Sequence, residues 1–464
     1  MISYTELLNI ESAFPLNSKH LVKKVFPNIA IDSRAVKKND LFLAIKGDIT
    51  NGHNFVGKAF DKGVKLAIVE ESWFQKNKDK FLNRPFILVK DSTKALGEIA
   101  RNHKRKFDIP VLCVGGSNGK TTTKDLIAAV LSQKYKVLRT EGNFNNHIGL
   151  PLTLLNLNEK HNFCVIETGS NHFGEIKYLC DIAEPDYGII TNIGKEHLEF
   201  FKNIDGVAKE EFQLFDYLKN KGKETFIFAN YDDAYVRKYI KKNNIKDYLS
   251  YSYNEKTKVK ANFIKYTESF EPVIKVKYNN VSFETKISTF GKHSIYNGIA
   301  AASVGLYFGV THNAIKKALS NIKSSGSKRM EITKKQKKLY INDSYNSNPD
   351  SVKLGLETLK EYKSGKQKHI VFGDMLELGN SSKKEHFEIG KLIRKMKFDN
   401  LYTFGKESYN TFLGAKGVDN NYYFSEKEDL SEFLKKILKP DDVIYIKGSR
   451  GMKMEEIINN ILNN

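Results

Sequence analysis

Residues able to do chemistry concentrate at Cys113-Val114-Gly115-Gly116-Ser117-Asn118-Gly119-Lys120-Thr121-Thr122-Thr123-Lys124. An apolar run over 109–114 breaks into glycine and small polar residues, a Lys-Thr pair follows, and 125–131 favours helix. Strand, glycine loop, Lys-Thr and helix make a phosphate cradle. The glycines let backbone N–H groups approach an anion, and the helix start adds a positive dipole end. Gly116, Ser117, Asn118, Gly119, Lys120, Thr121 and Thr122 would line an ATP site, with Lys120 on the terminal phosphates and the Thr121 hydroxyl on Mg²⁺. Val114 stands where the usual eight-residue form has glycine, so the loop is tighter. An ordinary glycine-rich turn with an exposed lysine is the competing account, and the flanking strand and helix favour the nucleotide.

Two further groups have the right chemistry. The apolar stretch Cys164-Val165-Ile166 ends in Glu167-Thr168-Gly169-Ser170, and a later one ends in Thr191-Asn192-Ile193-Gly194, with His197 just beyond. In a doubly wound sheet such strand ends lie beside the phosphate loop, where Glu167 and His197 can hold Mg²⁺ against phosphate charge. Taken singly, Glu167 reads equally as a carboxylate near a helix start, and His197 as a satisfied structural histidine. Together with the loop, the metal role is the stronger reading.

The elements that must position these groups divide the chain in three. Residues 1–108 hold a short helix, small strands at 41–45, 66–69 and 86–89, and helices between them, ending with one over 92–107 before Pro110. Over 109–322, apolar strands at 111–114, 163–166, 187–190 and 226–228 alternate with helices, which implies a mostly parallel doubly wound sheet. Alternating segments near 259–290 add antiparallel strands. Ser324-Ser325-Gly326-Ser327 reads as a linker, and 323–464 alternates again as a Rossmann-like domain. The fold class expected is therefore α/β, in three domains.

At 464 residues the chain exceeds a single core, and its 40% hydrophobic and 12% aromatic content are those of a folded globular protein. The longest small-and-apolar run, 298–310, falls short of the roughly 18–20 residues of a membrane span. Residues 1–12 show no basic stretch ahead of an apolar block, so no secretory signal is expected. Cys113, Cys164 and Cys180 are widely spaced in apolar surroundings and read as buried thiols of a cytoplasmic protein. The net charge of +21 invites nucleic acid, but the lysines are scattered along the whole length. Runs at 219–223 and 334–338 read as loop or hairpin tips. A solvated lysine surface that attracts small polyanions is the expectation, with no specific nucleic-acid partner, no membrane insertion and a monomeric chain.

These motifs resemble the Mur ligases along essentially the whole chain. Asp32-Ser33-Arg34, the stretch Asp40-Leu41-Phe42-Leu43-Ala44-Ile45-Lys46-Gly47, and Asn51-Gly52-His53-Asn54-Phe55 are similar to the family's UDP-binding segment. Gly142-Asn143-Phe144-Asn145-Asn146-His147-Ile148-Gly149 and the Glu167 strand end match its centre. Three late segments resemble the branch that adds D-alanyl-D-alanine: Asp343-Ser344-Tyr345-Asn346-Ser347-Asn348-Pro349, Gly373-Asp374-Met375-Leu376-Glu377-Leu378-Gly379, and Lys447-Gly448-Ser449-Arg450.

The resemblance implies roles. Ser33, Arg34, Asn143, Asn145 and Asn146 would bind the UDP-linked substrate. His293 and Asn297, four apart on one helix face, would lie near adenine, although Ser294 replaces the family's usual asparagine. Arg329 would reach the γ-phosphate, and Asp343 would hold the ATP ribose or position the last domain. Asn346, Asp374 and Glu377 would read the dipeptide. Family members often support the second Mg²⁺ with a carbamylated lysine four residues before an aromatic or aliphatic position. Here Glu211 holds that register relative to Phe215, with Lys209 two residues earlier. Either Glu211 supplies the carboxylate directly or Lys209 is modified; the spacing favours Glu211. The implied reaction is ATP-dependent amide formation through an acyl phosphate. The rivals are a sibling ligase, a folylpolyglutamate synthase-like enzyme, or a P-loop nucleic-acid or regulatory protein. The chain does not distinguish lysine from diaminopimelate as the third residue of the tripeptide.

Overall fold

The computed structural model describes residues 1–47, 50–222, 224–322, 330–363 and 366–462. The 324–327 linker and Arg329 lie outside the described residues. By internal contacts the chain forms two compact units: Met1–Val111 with Leu138–Thr168 and Lys177–Pro185, and Leu112–Val137 with Gly169–Ile176 and Asp186–Asn464.

The first unit holds a five-stranded sheet in the order Phe14–Leu16, Phe86–Val89, Leu66–Glu70, Leu41–Leu43, Ile29–Ala30. It is parallel except for Phe14–Leu16 at one edge. Phe86–Val89 and Leu41–Leu43 are buried along their whole length, as befits strands covered on both faces. One face packs on Ile99 and Leu96 of the helix Ser92–Lys104, and the other on Phe60 and Phe74. That helix begins where the Asp91 carboxylate accepts from the amides of Thr93 and Lys94. The unit also carries the strand Phe163–Glu167 and the helix Gly149–Leu154.

The second unit holds two sheets. In one, its strands run in the order Val281–Lys286, Pro272–Tyr278, Val259–Tyr266, Tyr248–Ser252, Phe226–Asn230, Tyr187–Ile190, Val111–Gly115. The last five are mutually parallel and the first two are added antiparallel, matching the alternation near 259–290. The run at 298–310 falls largely within the helix His293–Tyr307, buried over most of its length. The other sheet has the order Glu331–Lys335, Lys338–Asp343, Val443–Lys447, Lys368–Gly373, Asn400–Phe404, Asn420–Phe424, parallel beyond its first hairpin. The basic run at 334–338 is that hairpin's tip, where Gln336 and Lys337 have positive φ of 51° and 59°. The other basic run differs from expectation: Lys219 and Lys221 belong to the helix Gln213–Lys221, where cations complement the carbonyl end. None of the three cysteines forms a disulfide, and all are buried. Among the described residues no helix is long and apolar enough to cross a membrane.

Candidate active site

The strand Val111–Gly115 delivers the chain into the glycine loop, and the helix Lys120–Leu131 leaves it. Gly116 takes φ +109°, and a Cβ there would run into the Thr191 hydroxyl and amide, so only glycine fits. The loop is tied to the end of the neighbouring strand Tyr187–Ile190. Ser117 N–H donates to the Asn192 carbonyl at 2.9 Å, and the Gly194 amide donates to Ser117 Oγ at 2.8 Å. The Asn192 side chain brackets Asn118, accepting from its amide at 3.1 Å and donating to its carbonyl at 3.0 Å. The loop is thus held in shape by neighbouring strand-end groups.

Lys120 opens the helix with its ammonium 3.4 Å from Glu196 Oε2, in a setting where the two side chains are 14% and 8% exposed. Glu211, buried at the end of the helix Ile204–Glu211, accepts the Gly116 amide on Oε2 at 2.6 Å. Burial pushes the Glu211 carboxyl up to about 7; the Lys120 ammonium pulls against this and the Glu196 carboxylate adds to it. Lys209 sits on the exposed face of the same helix, its ammonium 5.7 Å from the centre of the Phe173 ring. Glu210 is spent on the amides of Gly174 and Ile176, both at 2.8 Å. Thr121 is buried in the first helical turn, and Thr122 beside it is partly buried.

Asn297 reaches the same loop: its Oδ1 accepts from Thr123 Oγ1 at 3.1 Å. His293, one turn earlier, is pushed down to about 4 by burial of its ring, with Asp343 opposing the shift. Asp343 ends its strand beside Val443–Lys447 and accepts from Lys447 Nζ at 2.6 Å and Tyr445 Oη at 3.0 Å. Lys447 also donates to the Asn346 carbonyl at 3.2 Å. Asp374 directs its carboxylate to the amide and hydroxyl of Ser408, both at 2.7 Å, anchoring the turn after Asn400–Phe404. Glu377 Oε2 lies 2.6 Å from His197 Nδ1, and the imidazole holds that carboxyl below the ordinary range.

In the first unit Glu167 is buried, accepting from Asn145 Nδ2 at 2.9 Å while its amide donates to Thr140 Oγ1. Asn146 Oδ1 takes the amides of Ile148 and Gly149 at the head of Gly149–Leu154. Asn143 is exposed, its carbonyl accepting from the Asn145 amide. Arg34 pairs with Asp32 at 2.8 Å with its side chain 90% exposed, and the Ser33 carbonyl accepts from Lys62 Nζ.

Sequence reasoning missed Asn192, Glu196, Asn348 and Asp350. Asn348 Nδ2 donates to Asn118 Oδ1 at 2.9 Å, and Asp350 Oδ2 accepts the Lys195 amide at 2.7 Å. The only local signal was the charged triplet Lys195-Glu196-His197 after a strand end. Among the described residues no three of His, Cys, Asp and Glu are gathered for a metal.

Three family models match: the Mur ligase family catalytic domain over 26–104, the Mur ligase middle domain over 114–305, and the Mur ligase glutamate ligase domain over 328–450. The chain is 34% identical over 444 residues to UDP-N-acetylmuramoyl-tripeptide–D-alanyl-D-alanine ligase of Bacillus subtilis, covering 94% of this chain and 93% of that one. It is similar to a crystal structure of MurF from Acinetobacter baumannii at TM-score 0.89 and 26% identity, over 100% and 99% of the two chains. MurF of Thermotoga maritima in complex with ADP aligns at TM-score 0.80 and 26% identity, over 94% and 96%.

Proposed function

The chain belongs to the Mur ligase family, and we propose that it joins D-alanyl-D-alanine to UDP-N-acetylmuramoyl-tripeptide with hydrolysis of ATP to ADP and phosphate, in peptidoglycan precursor synthesis. It is an ATP-dependent ligase forming a C–N bond. The observation that carries this reading is the braced glycine loop, with Lys120 at the helix start and Asn348 of the last sheet bonded to Asn118.

The reaction has two balanced steps. A terminal carboxylate oxygen of the tripeptide attacks the γ-phosphorus, the bond to the bridging oxygen breaks, and ADP leaves an acyl phosphate. The dipeptide amine then attacks the acyl carbon, inorganic phosphate departs with the bonding pair, and the nitrogen loses a proton. Phosphoryl transfer of this kind depends on positioning and charge neutralisation. Lys120 would neutralise the terminal phosphates, Arg329 would reach the γ-phosphate, and the loop amides would cradle them. His293, Asn297 and Asp343 would hold the nucleoside.

Mg²⁺ keeps several waters and phosphate oxygens and is held by only one or two protein groups. In the second unit Thr121, His197 and the buried carboxylate of Glu211 are the candidate donors, of which one or two would hold the ion; Glu167 is the candidate in the first unit. When bound, Mg²⁺ would neutralise charge on the transferred phosphoryl group. We assign 1–108 to the UDP end with Ser33 and Arg34, supported by Asn143, Asn145 and Asn146; 109–322 to ATP; and 323–464 to the dipeptide, with Asn346 and Asp374 as its candidate contacts, the Glu377 carboxylate being turned to His197 instead.

The test is phosphate release. It should require D-alanyl-D-alanine, ATP and a UDP-N-acetylmuramoyl-tripeptide together, with lysine- and diaminopimelate-containing tripeptides assayed side by side. Phosphate release that ignores the dipeptide would overturn the assignment.

A further inference from the structure

We propose that Glu377 is a positioning residue, whose carboxylate sets the imidazole of His197 and so couples the last sheet to the phosphate site. His197 follows the strand Tyr187–Ile190 of the phosphate-loop sheet, and Glu377 follows Lys368–Gly373 of the last sheet. Their side chains meet with His197 Nδ1 2.6 Å from Glu377 Oε2.

Both residues have left-handed backbones, His197 at φ +47° and Glu377 at φ +64°, a conformation that non-glycine residues keep only where their surroundings enforce it. The enforcement is visible on both sides. The Glu199 amide donates to the Glu377 carbonyl at 3.1 Å, and the amides of Phe200 and Phe201 donate to the His197 carbonyl at 3.0 Å. Gly379, at φ +52°, lets the chain pass Glu199 so closely that a Cβ would stand 3.0 Å from its Cα. The Phe201 ring lies edge-on to the imidazole, 6.3 Å between centres. Nearby, Lys195 donates its amide to Asp350 at 2.7 Å and pairs through its ammonium with Glu385 at 2.7 Å. The segment carrying His197 is therefore gripped at several points by the last sheet's residues.

The Glu377 carboxylate sits against the Nδ1 edge without an aligned hydrogen bond, and its charge at 2.6 Å favours the proton on Nδ1 and leaves Nε2 for a ligand. A contact to the dipeptide ammonium would need that carboxylate turned away from His197. The geometry favours orientation of the ring over reading of the dipeptide. The link to catalysis rests on the ligase assignment; the link to His197 does not.

The experiment uses the full chain labelled with ¹⁵N at histidine, with the His197 signal identified by its loss in His197→Gln. In the ligand-free protein His197 should carry its proton on Nδ1, and Glu377→Ala should release it to the mixed tautomers of a free imidazole. Glu377→Gln, whose carbonyl can still accept from Nδ1, should keep the wild-type pattern. Glu377→Gly serves if the alanine variant fails to fold, since φ +64° suits glycine. Mn²⁺ binding with a non-hydrolysable ATP analogue, read by electron paramagnetic resonance, should weaken about 10–100-fold in Glu377→Ala and much less in Glu377→Gln. An unchanged tautomer and Mn²⁺ affinity, with only the KM for D-alanyl-D-alanine raised, would overturn the proposal. Failure of the ligase assignment would show separately, as wild-type protein that releases no phosphate while the tautomer result stands.

Discussion

The ammonium of Lys120 faces the carboxylate of Glu196 at 3.4 Å, in a pocket of the loop where the buried Glu211 already accepts the Gly116 amide. Two carboxylates thus share the surroundings of the one cation that opens the helix. Under the proposed function, the phosphates of an incoming nucleotide would compete with Glu196 for Lys120.

Lys120→Ala should lower ligation by at least about 10²-fold, the usual cost of removing a group that stabilises developing phosphate charge. Its thermal midpoint should fall as well, because the buried Glu196 carboxylate is left without its cation, so ligation is compared at a temperature where both proteins are folded. Near-normal phosphate release by the variant would remove the nucleotide from this loop.

Glu211 and Lys209 separate just as cleanly. Glu211 lies against the loop, whereas the Lys209 ammonium is out over Phe173. Activity should be indifferent to removal of dissolved bicarbonate, Lys209→Ala should cost less than about threefold as an ordinary surface change, and Glu211→Ala should cost far more. Extra mass on Lys209, or rescue of Lys209→Ala by short carboxylic acids, would reverse the assignment.

The strand, glycine loop and helix at 111–131 were legible because their signal is local: an apolar strand, glycines, Lys-Thr and a helix former in unbroken sequence. The buried strands Phe86–Val89 and Tyr187–Ile190 were legible for the same reason. Asn192 was not, because its hold on Asn118 arises only when Tyr187–Ile190 pairs with Val111–Gly115 in the register Ile190 to Gly115. Asn348 and Glu196 likewise act on residues remote in sequence, and their types are common in loops. The strand Asn420–Phe424 escaped notice because it is a half-exposed edge that opens with two asparagines, which suggest a turn. Glu377 was read as a dipeptide contact from its motif, and its place beside His197 needed coordinates.

His293 gives a pH signature. Burial lowers its folded value to about 4 from an ordinary 6.5, so between those values the unfolded chain binds a proton that the folded chain refuses. Stability is then full above about pH 6.5 and falls as pH drops toward 4. Other buried histidines, His53, His103, His369 and His386, shift in the same direction, so the difference between wild type and His293→Gln is the quantity to measure. Thermal midpoints at pH 7.5 and pH 5 should fall less for the variant. An equal fall in both would show that folding does not lower the His293 pKa.

Asn346 tests where the dipeptide sits. It is exposed after Asp343, its side-chain oxygen accepts the Ser347 amide at 2.8 Å, and its carbonyl takes Lys447. Asn346→Ala should raise the KM for D-alanyl-D-alanine more than that for ATP. A change confined to the ATP or UDP-tripeptide constants would place the dipeptide elsewhere.

Asn348 has two separable duties. Its Oδ1 caps the helix Pro349–Glu361 by accepting from the Ser351 amide at 2.8 Å, while its Nδ2 donates to Asn118 in the phosphate loop. Aspartate caps as well as asparagine, so any stability lost in Asn348→Asp reports the carboxylate at this buried position rather than the cap, whereas Asn348→Ala should lose about 1 kcal/mol with the cap. Asn348→Asp nevertheless deletes the donor and sets a carboxylate against the Asn118 oxygen. If this contact seats the last sheet on the loop, turnover should fall about tenfold or more in both variants, since small displacements of reacting groups are costly. Turnover that tracks stability, normal in Asn348→Asp and reduced only in Asn348→Ala, would reduce Asn348 to a helix cap.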